Sequence, residues 1–361
     1  MERRPNVPSA LKRVLCLAVF AFLLGSESWV TPNPPPPLAG FSYSPLTSIS
    51  QHRDPAQDLN RLLLATNPDL VRLPVYWELV QPTPDTLDYS SVDSLLAVVE
   101  AHNKIAPNPT RVVLTIGARN FLYPELHEPA WAGPRQQPFL NEVQSGPLYR
   151  LYIDASITRY RTLPLLYAWQ VENEPLDYVG NSFTGDDQIK LAQLNWEVAE
   201  VHRLDPMHKA VTTTFDGWNV GVDMMQLWTP GILYHLGGWP QGHPEDALVA
   251  SDALGLDLYI DGPTTPLRFT SPDLRAEWKE QAVGFWATRA HGMGKDLWLS
   301  EMQAQPWSVS PGKFAPSDLI GSAVDYRQEH LQVVLLWGVD TWLTNPVWMA
   351  AASRSLEILR S

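Results

Sequence analysis

From about residue 40 onward, the sequence alternates eight times between a short apolar run and a longer stretch of helical periodicity. No other feature constrains the fold as tightly. Short runs without polar alternation suit strands covered on both faces, and parallel strands need a connection long enough to hold a helix. The runs fall at residues 40–43, 70–76, 111–117, 165–171, 210–215, 254–260, 296–301 and 331–337. Helical periodicity occupies 56–65, 92–102, 148–160, 187–202, 272–291, 318–330 and 346–359, and 218–252 reads as an irregular segment with helical pieces. Eight strands, each followed by helical sequence, predict an α/β fold: a (β/α)8 TIM barrel in a single domain. The rival arrangement is a doubly wound open sheet, but its glycine-rich first turn is missing.

In such a barrel the active face lies at the C-terminal ends of the strands, so polar residues there carry the functional information. Two apolar runs end in glutamate. One is Tyr167-Ala168-Trp169-Gln170-Val171-Glu172-Asn173-Glu174-Pro175, and the other is Leu297-Trp298-Leu299-Ser300-Glu301-Met302-Gln303. Two acids facing each other across one cleft are the equipment for breaking a glycosidic bond. Strand parity groups Glu301 with Leu297 and Leu299; if that shared face is the barrel interior, Glu301 caps it. Glu172 has the parity of Glu174 and lies two residues earlier, so it is expected deeper, as an acid behind the first.

These residues resemble a known group. Trp169-Gln170-Val171-Glu172-Asn173-Glu174-Pro175 is similar to the fourth-strand motif of glycoside hydrolase clan A, the retaining "4/7" superfamily of (β/α)8 barrels, and Trp298-Leu299-Ser300-Glu301 resembles its seventh-strand segment. The resemblance covers roughly residues 40–350 and implies Glu174 as acid/base, Glu301 as nucleophile and Asn173 as the contact to the sugar 2-hydroxyl. Val71-Arg72-Leu73-Pro74-Val75 resembles the second strand, whose arginine steadies the nucleophile. Leu256-Asp257-Leu258-Tyr259 resembles the sixth, whose tyrosine hydrogen-bonds it. Trp337-Gly338-Val339-Asp340-Thr341-Trp342 resembles the eighth, which offers a tryptophan floor; one of Trp337 and Trp342 is ordinary packing. The stretch from Tyr123-Pro124-Glu125 to Pro129-Ala130-Trp131 resembles third-loop segments of related families. The chain departs from family 5 of the clan, which it otherwise resembles. The third strand ends Gly117-Ala118-Arg119-Asn120 instead of in a histidine, and Asp257 stands where a His-x-Tyr pattern would have its histidine.

The implied reaction is a double displacement on a β-linked glycoside or polysaccharide. It needs Glu174 protonated while Glu301 is charged, and Arg72 beside Glu301 would decide which acid ionises. A catalytically inactive carbohydrate-binding barrel and a transglycosylase with the same residues are the alternatives. An aldolase or isomerase would want a strand-end lysine or metal ligands, and neither is present. Fifteen tryptophans are many for this length, and Trp77, Trp131, Trp218, Trp307 and Trp342 lie at or just after strand ends, where aromatic faces can bind sugar rings. The segment 218–252 is placed to wall that cleft.

Composition excludes other classes. A net charge of -13 argues against nucleic acid as partner. The nine histidines lack paired ligand spacing, so no metal and no cofactor are expected. Cys16 is the only cysteine, so the body has no thiol for disulfides or catalysis. Arg3, Arg4, Lys12 and Arg13 precede an apolar run of about 11 residues and then small residues, the pattern of a secretory signal. Residues 1–28 are expected to be a signal peptide or an N-terminal anchor, 29–39 a proline-rich spacer, and 40–361 the catalytic domain. That predicts an extracytoplasmic protein, with membrane contact only if the first segment stays uncleaved and no protein partner signalled.

Overall fold

Each of the eight apolar runs forms a strand whose ends lie within two residues of those expected from the sequence: β1 Leu38–Ser42, β2 Leu70–Pro74, β3 Arg111–Ile116, β4 Leu166–Val171, β5 Lys209–Phe215, β6 Ala253–Leu258, β7 Asp296–Gln303 and β8 Val333–Trp337. The computed structural model describes residues 35–132, 146–178, 188–215, 220–238, 240–261, 272–307 and 314–361. The expected signal segment, most of the spacer, and Trp218 lie outside the described residues. All neighbouring strands are parallel. The pairing of β1 with β8 sets Leu38 against Val333 and Gly40 against Leu335, so the sheet closes into a barrel. The fold class read from the alternation is the one observed.

Helices cover the outside. The helix Pro55–Thr66 begins where Asp54 accepts from the backbone N–H of Ala56 and Gln57, with Pro55 in the first turn, and it buries Leu59, Leu62 and Leu63. The irregular segment after β5 contains three short helices, Val220–Gln226, Ile232–Gly237 and Pro244–Ala250. Three short helices gave no periodic signal: Pro45–Ser50 after β1, Trp77–Val80 after β2 and Val339–Thr344 after β8. Each spans fewer than two turns, too few to show a repeat. Among the described residues no helix is long and apolar enough to cross a membrane.

The barrel interior is stratified. Leu70, Val113, Ala168, Val211, Ala253, Trp298, Val333 and Leu335 form an apolar cluster separate from the core between sheet and helices. One residue or two come from each of β2 to β8, as expected of an inner layer. Two positions further along, the inward residues turn polar: Ser42, Arg72, Thr115, Gln170 and Thr213, all buried. Buried polar groups must find partners, so this layer is where the barrel stops being filler and becomes a site.

Strand β7 corrects the parity expectation. Leu297 and Leu299 belong to the outer core with the helices, and Trp298 faces inward. Leu256 pairs with Leu299 but Asp257 pairs with Glu301, so Ser300 is an extra residue in the ladder. This bulge switches the parity and returns Glu301 to the inward set. Ser300 Oγ donates to Asp257 Oδ1 at 2.6 Å, and a Cβ on Gly255 would lie 2.4 Å from that hydroxyl. Only glycine fits there.

Candidate active site

Arg72 stands one step above the apolar layer of β2 and is fully buried. Its guanidinium donates from Nε to Ser42 Oγ at 2.7 Å, from Nη1 to Gln170 Oε1 at 2.9 Å and from Nη2 to Glu301 Oε1 at 2.6 Å. Its carbon Cζ lies 4.2 Å from the centre of the Phe121 ring and 5.9 Å from that of Trp337. Tyr259, just past β6, donates its hydroxyl to the other oxygen of Glu301. Burial, with the charge of Glu301 added, holds this phenol well above its ordinary range, so it remains a donor. A positive charge and two donors are the surroundings of a carboxylate anion.

The second acid comes from the turn after β4. Glu172 and Glu174 both have positive φ, 61° and 46°, a region that costs non-glycine residues about 1–3 kcal/mol each and persists only under outside restraint. The restraints are visible. Glu172 is fully buried, and its carboxylate accepts from the N–H of Ala118 at 3.0 Å, the N–H of Arg119 at 2.5 Å and Tyr149 Oη at 2.9 Å. Gly117, at φ 124°, makes room for it, because a Cβ there would lie 2.4 Å from the Glu172 carboxyl carbon. Gln170 Nε2 donates to Glu172 O and to Asn173 Oδ1, each at 3.0 Å, and the Glu174 N–H donates to Thr213 Oγ1 at 2.9 Å. A continuous set of hydrogen bonds therefore runs from Glu301 through Arg72 and Gln170 to Asn173.

Glu174 is 8 % exposed. Its carboxyl neighbours that of Glu125, which is ion-paired with Arg119. Burial first, and then the charges of Glu125, Asp177, Asp257 and Glu301, raise Glu174 well above the usual carboxylate range. Burial raises Asp257 well above its range too, with Glu301 adding to it, and pushes Asp177 up to about 7. One acid of the expected pair thus sits against a cation, and the other sits among acids.

The structure brings Arg72, Asn173, Glu174, Tyr259 and Glu301 to one barrel mouth. Trp337 is half-buried and meets Phe121 edge-on at 6.0 Å, beside a small hollow that Ser42, Leu122 and Asp340 also line. Trp307 is half-buried with its edge on Tyr259 at 5.4 Å. Trp77 and Trp342 are corrections. Both are fully buried. Trp77 donates to Gln81 and packs among Trp131, Tyr149 and Tyr152, while Trp342 donates to Ala304 O and meets Phe41 edge-on, so neither presents a face to a ligand. Trp342 is therefore the packing member of the eighth-strand pair. Trp131 donates to Gln81 O and packs on Trp77. Ser42, Arg119, Phe121, Glu125, Gln170, Asp177 and Thr213 were not singled out in the sequence. A lone polar residue in an otherwise apolar strand is the signal that marks Ser42 and Gln170, whereas Thr213 is hidden in a run of three threonines. Among the described residues no cluster of His, Cys, Asp and Glu could hold a metal ion.

No family model and no curated protein matches the sequence. Solved structures match it in fold. A GH5_18 protein from Bifidobacterium longum subsp. infantis aligns with TM-score 0.62 at 13 % identity, over 90 % of this chain and 79 % of that one. The GH5_18 protein of Streptomyces cattleya, solved with GlcNAc, gives 0.60 at 13 % identity over 84 % and 71 %. The exo-beta-1,4-mannosidase Op5Man5 from Opitutaceae bacterium strain TAV5 gives 0.57 at 13 % identity over 90 % of this chain and 59 % of that one. At this identity the likeness is one of fold, and the chain shares the (β/α)8 barrel of these family 5 glycoside hydrolase structures.

Proposed function

We propose that this protein is a retaining glycoside hydrolase that cleaves a β-linked glycoside or polysaccharide, with Glu301 as nucleophile and Glu174 as acid/base. The observation that carries the proposal is the unequal setting of two carboxyl groups at one barrel mouth. Glu301 is bound by the Arg72 guanidinium and the Tyr259 hydroxyl, whereas Glu174 is buried among acids that favour its protonated form.

In the first step a Glu301 oxygen attacks the anomeric carbon. The glycosidic C–O bond breaks, and the Glu174 proton goes to the leaving oxygen. In the second step Glu174, now a carboxylate, takes a proton from water as that water attacks the same carbon. The bond to Glu301 breaks, and the sugar leaves with its original anomeric configuration. Arg72 and Tyr259 aim the nucleophile, Asn173 meets the sugar 2-hydroxyl, and the half-buried Trp337 and Trp307 offer apolar faces to the ring. The fold neighbours support a saccharide substrate. One S. cattleya variant holds Manb1-4GlcNAc, and another neighbour is named an exo-beta-1,4-mannosidase, so β-mannosides head the substrates to try.

A panel of aryl β-mannosides, glucosides, galactosides, N-acetylglucosaminides and xylosides tests the proposal, with Glu301→Ala alongside. The expected result is turnover of at least one member and its loss in the variant. Failure of the wild-type protein on every member, with oligosaccharides bound but uncut, would favour a binding barrel. Product analysis with excess acceptor separates hydrolysis from transglycosylation. The proposal extends to export, which N-terminal sequencing of the mature protein checks by finding residues 1–28 removed.

A further inference from the structure

We propose that Glu125 is a third acid of the site: held by Arg119, it accepts a hydrogen bond from the protonated Glu174 carboxyl and keeps the proton there between turnovers. The glycosidase proposal bears only on the kinetic consequence of this pairing.

The geometry begins with the hairpin after β3. Arg119 and Leu126 form an antiparallel bridge, the Asn120 N–H donates to Glu125 O at 2.8 Å, and the His127 N–H donates to Ala118 O at 2.9 Å. This sets Glu125 opposite Asn120, one step along the hairpin from the Arg119–Leu126 bridge. Arg119 is itself fixed, since it is buried, its N–H donates to Glu172, and its Nε donates to Asn173 O at 2.9 Å. Its Nη2 forms an ion pair with Glu125 Oε2. Glu125 therefore stands between a guanidinium and the Glu174 carboxyl.

Two carboxyl groups within hydrogen-bonding distance hold one proton between them near neutral pH. The surrounding charges decide where it rests. Glu174 faces Glu125 from the β3 hairpin, Asp177 from its own loop, Asp257 from β6 and Glu301 from β7. Arg119 acts on Glu125 and Asp177, His127 on Glu125, and Arg72 on Glu301 and Asp257. Burial raises both acids, but Arg119 opposes the rise at Glu125 while the surrounding acids add to it at Glu174, so Glu125 takes the charge and Glu174 the proton. Glu125 acts through Glu174 and is a positioning residue.

The test is a carboxyl-carbon NMR titration of protein labelled with 13C-glutamate, with Glu174→Gln and Glu125→Gln assigning the two signals. In the wild-type protein Glu174 should titrate above Glu125. In Glu125→Gln the Glu174 midpoint should fall by at least about one pH unit, and in Glu125→Asp, which keeps the charge, it should stay within a few tenths. The high-pH limb of kcat/KM on a poor-leaving-group glycoside should move down with it. A Glu125 that titrates above Glu174 overturns the proposal even if Glu125→Gln does not fold. So does an unmoved Glu174 midpoint in Glu125→Gln, or an equal fall in both variants, which would mark a purely structural role. Because the titration needs no substrate, a protein that cleaves no glycoside yet shows the shift would lose the catalytic proposal and keep this one.

Discussion

Arg72→Met removes the only cation seen in contact with Glu301 among the described residues while keeping most of the side-chain stem. The structure sets the size of the effect. The guanidinium is fully buried and makes three hydrogen bonds, one of them to a carboxylate that is itself 5 % exposed. Removing one partner of such a pair leaves the other charge desolvated and uncompensated, which costs about 3–5 kcal/mol. Glu301→Gln should fall in a similar range from the other side. The double variant has no stranded charge, so its loss should be smaller than the sum of the single losses by about 1–3 kcal/mol. Urea unfolding at pH 7, followed by tryptophan fluorescence and circular dichroism with coincident transitions, measures all three. A loss below about 1 kcal/mol for Arg72→Met, or additivity within about 0.5 kcal/mol, would refute the reasoning, because the pair would then not be a buried pair in solution.

Three further outcomes are expected. Glu174→Gln should lower kcat on poor leaving groups by roughly 10²–10⁴-fold, since general acid catalysis contributes that much; Glu172→Gln should instead lower stability, by about 1–3 kcal/mol, because its amide meets N–H donors that a carboxylate satisfied. Near-normal turnover in Glu174→Gln would reverse the two assignments. Gly117→Ala should destabilise markedly in calorimetry, since its φ of 124° disfavours a side chain and the new methyl would meet the Glu172 carboxyl; a wild-type Tm would contradict this. Stability should fall as pH rises. Glu174, Glu197 and Asp257 have folded pKa values raised well above their ordinary ones and Asp177 is raised to about 7, so the fold keeps protons that the unfolded chain releases. The native state then binds more protons above about pH 4, and stability is lost from there up to about pH 7 for Asp177 and beyond for the others. A Tm that is flat or rising between about pH 5.5 and 8 would contradict it.

The barrel was legible because eight doubly buried strands leave eight unbroken apolar runs, and helices leave a different period. The same double burial hid which face of each strand points inward. On β7 the leucines and the inward Trp298 are equally apolar, and the Ser300 bulge that re-aims Glu301 has no sequence signature of its own. Glu174 and Glu301 stood out because acids closing apolar strands are conspicuous, whereas Arg72, Asn173 and Tyr259 were named through the resemblance to clan A. Trp77 and Trp342 were misjudged for a related reason. A strand end brings a residue near the mouth, but burial depends on the packing of the helix that follows, and both tryptophans turn into that packing. Arg119 and Glu125 were noted only as a departure and a loop resemblance, since their ion pair depends on a hairpin closed by backbone hydrogen bonds.

The central claim is that Glu301 forms a covalent bond to the sugar and Glu174 does not. A 2-deoxy-2-fluoro-β-glycoside with a good leaving group, built on whichever sugar the panel shows to be cleaved, should trap that intermediate, and peptide mass spectrometry should find the label on Glu301. A label on any other residue, or release of the inverted anomer in the normal reaction, would contradict the account.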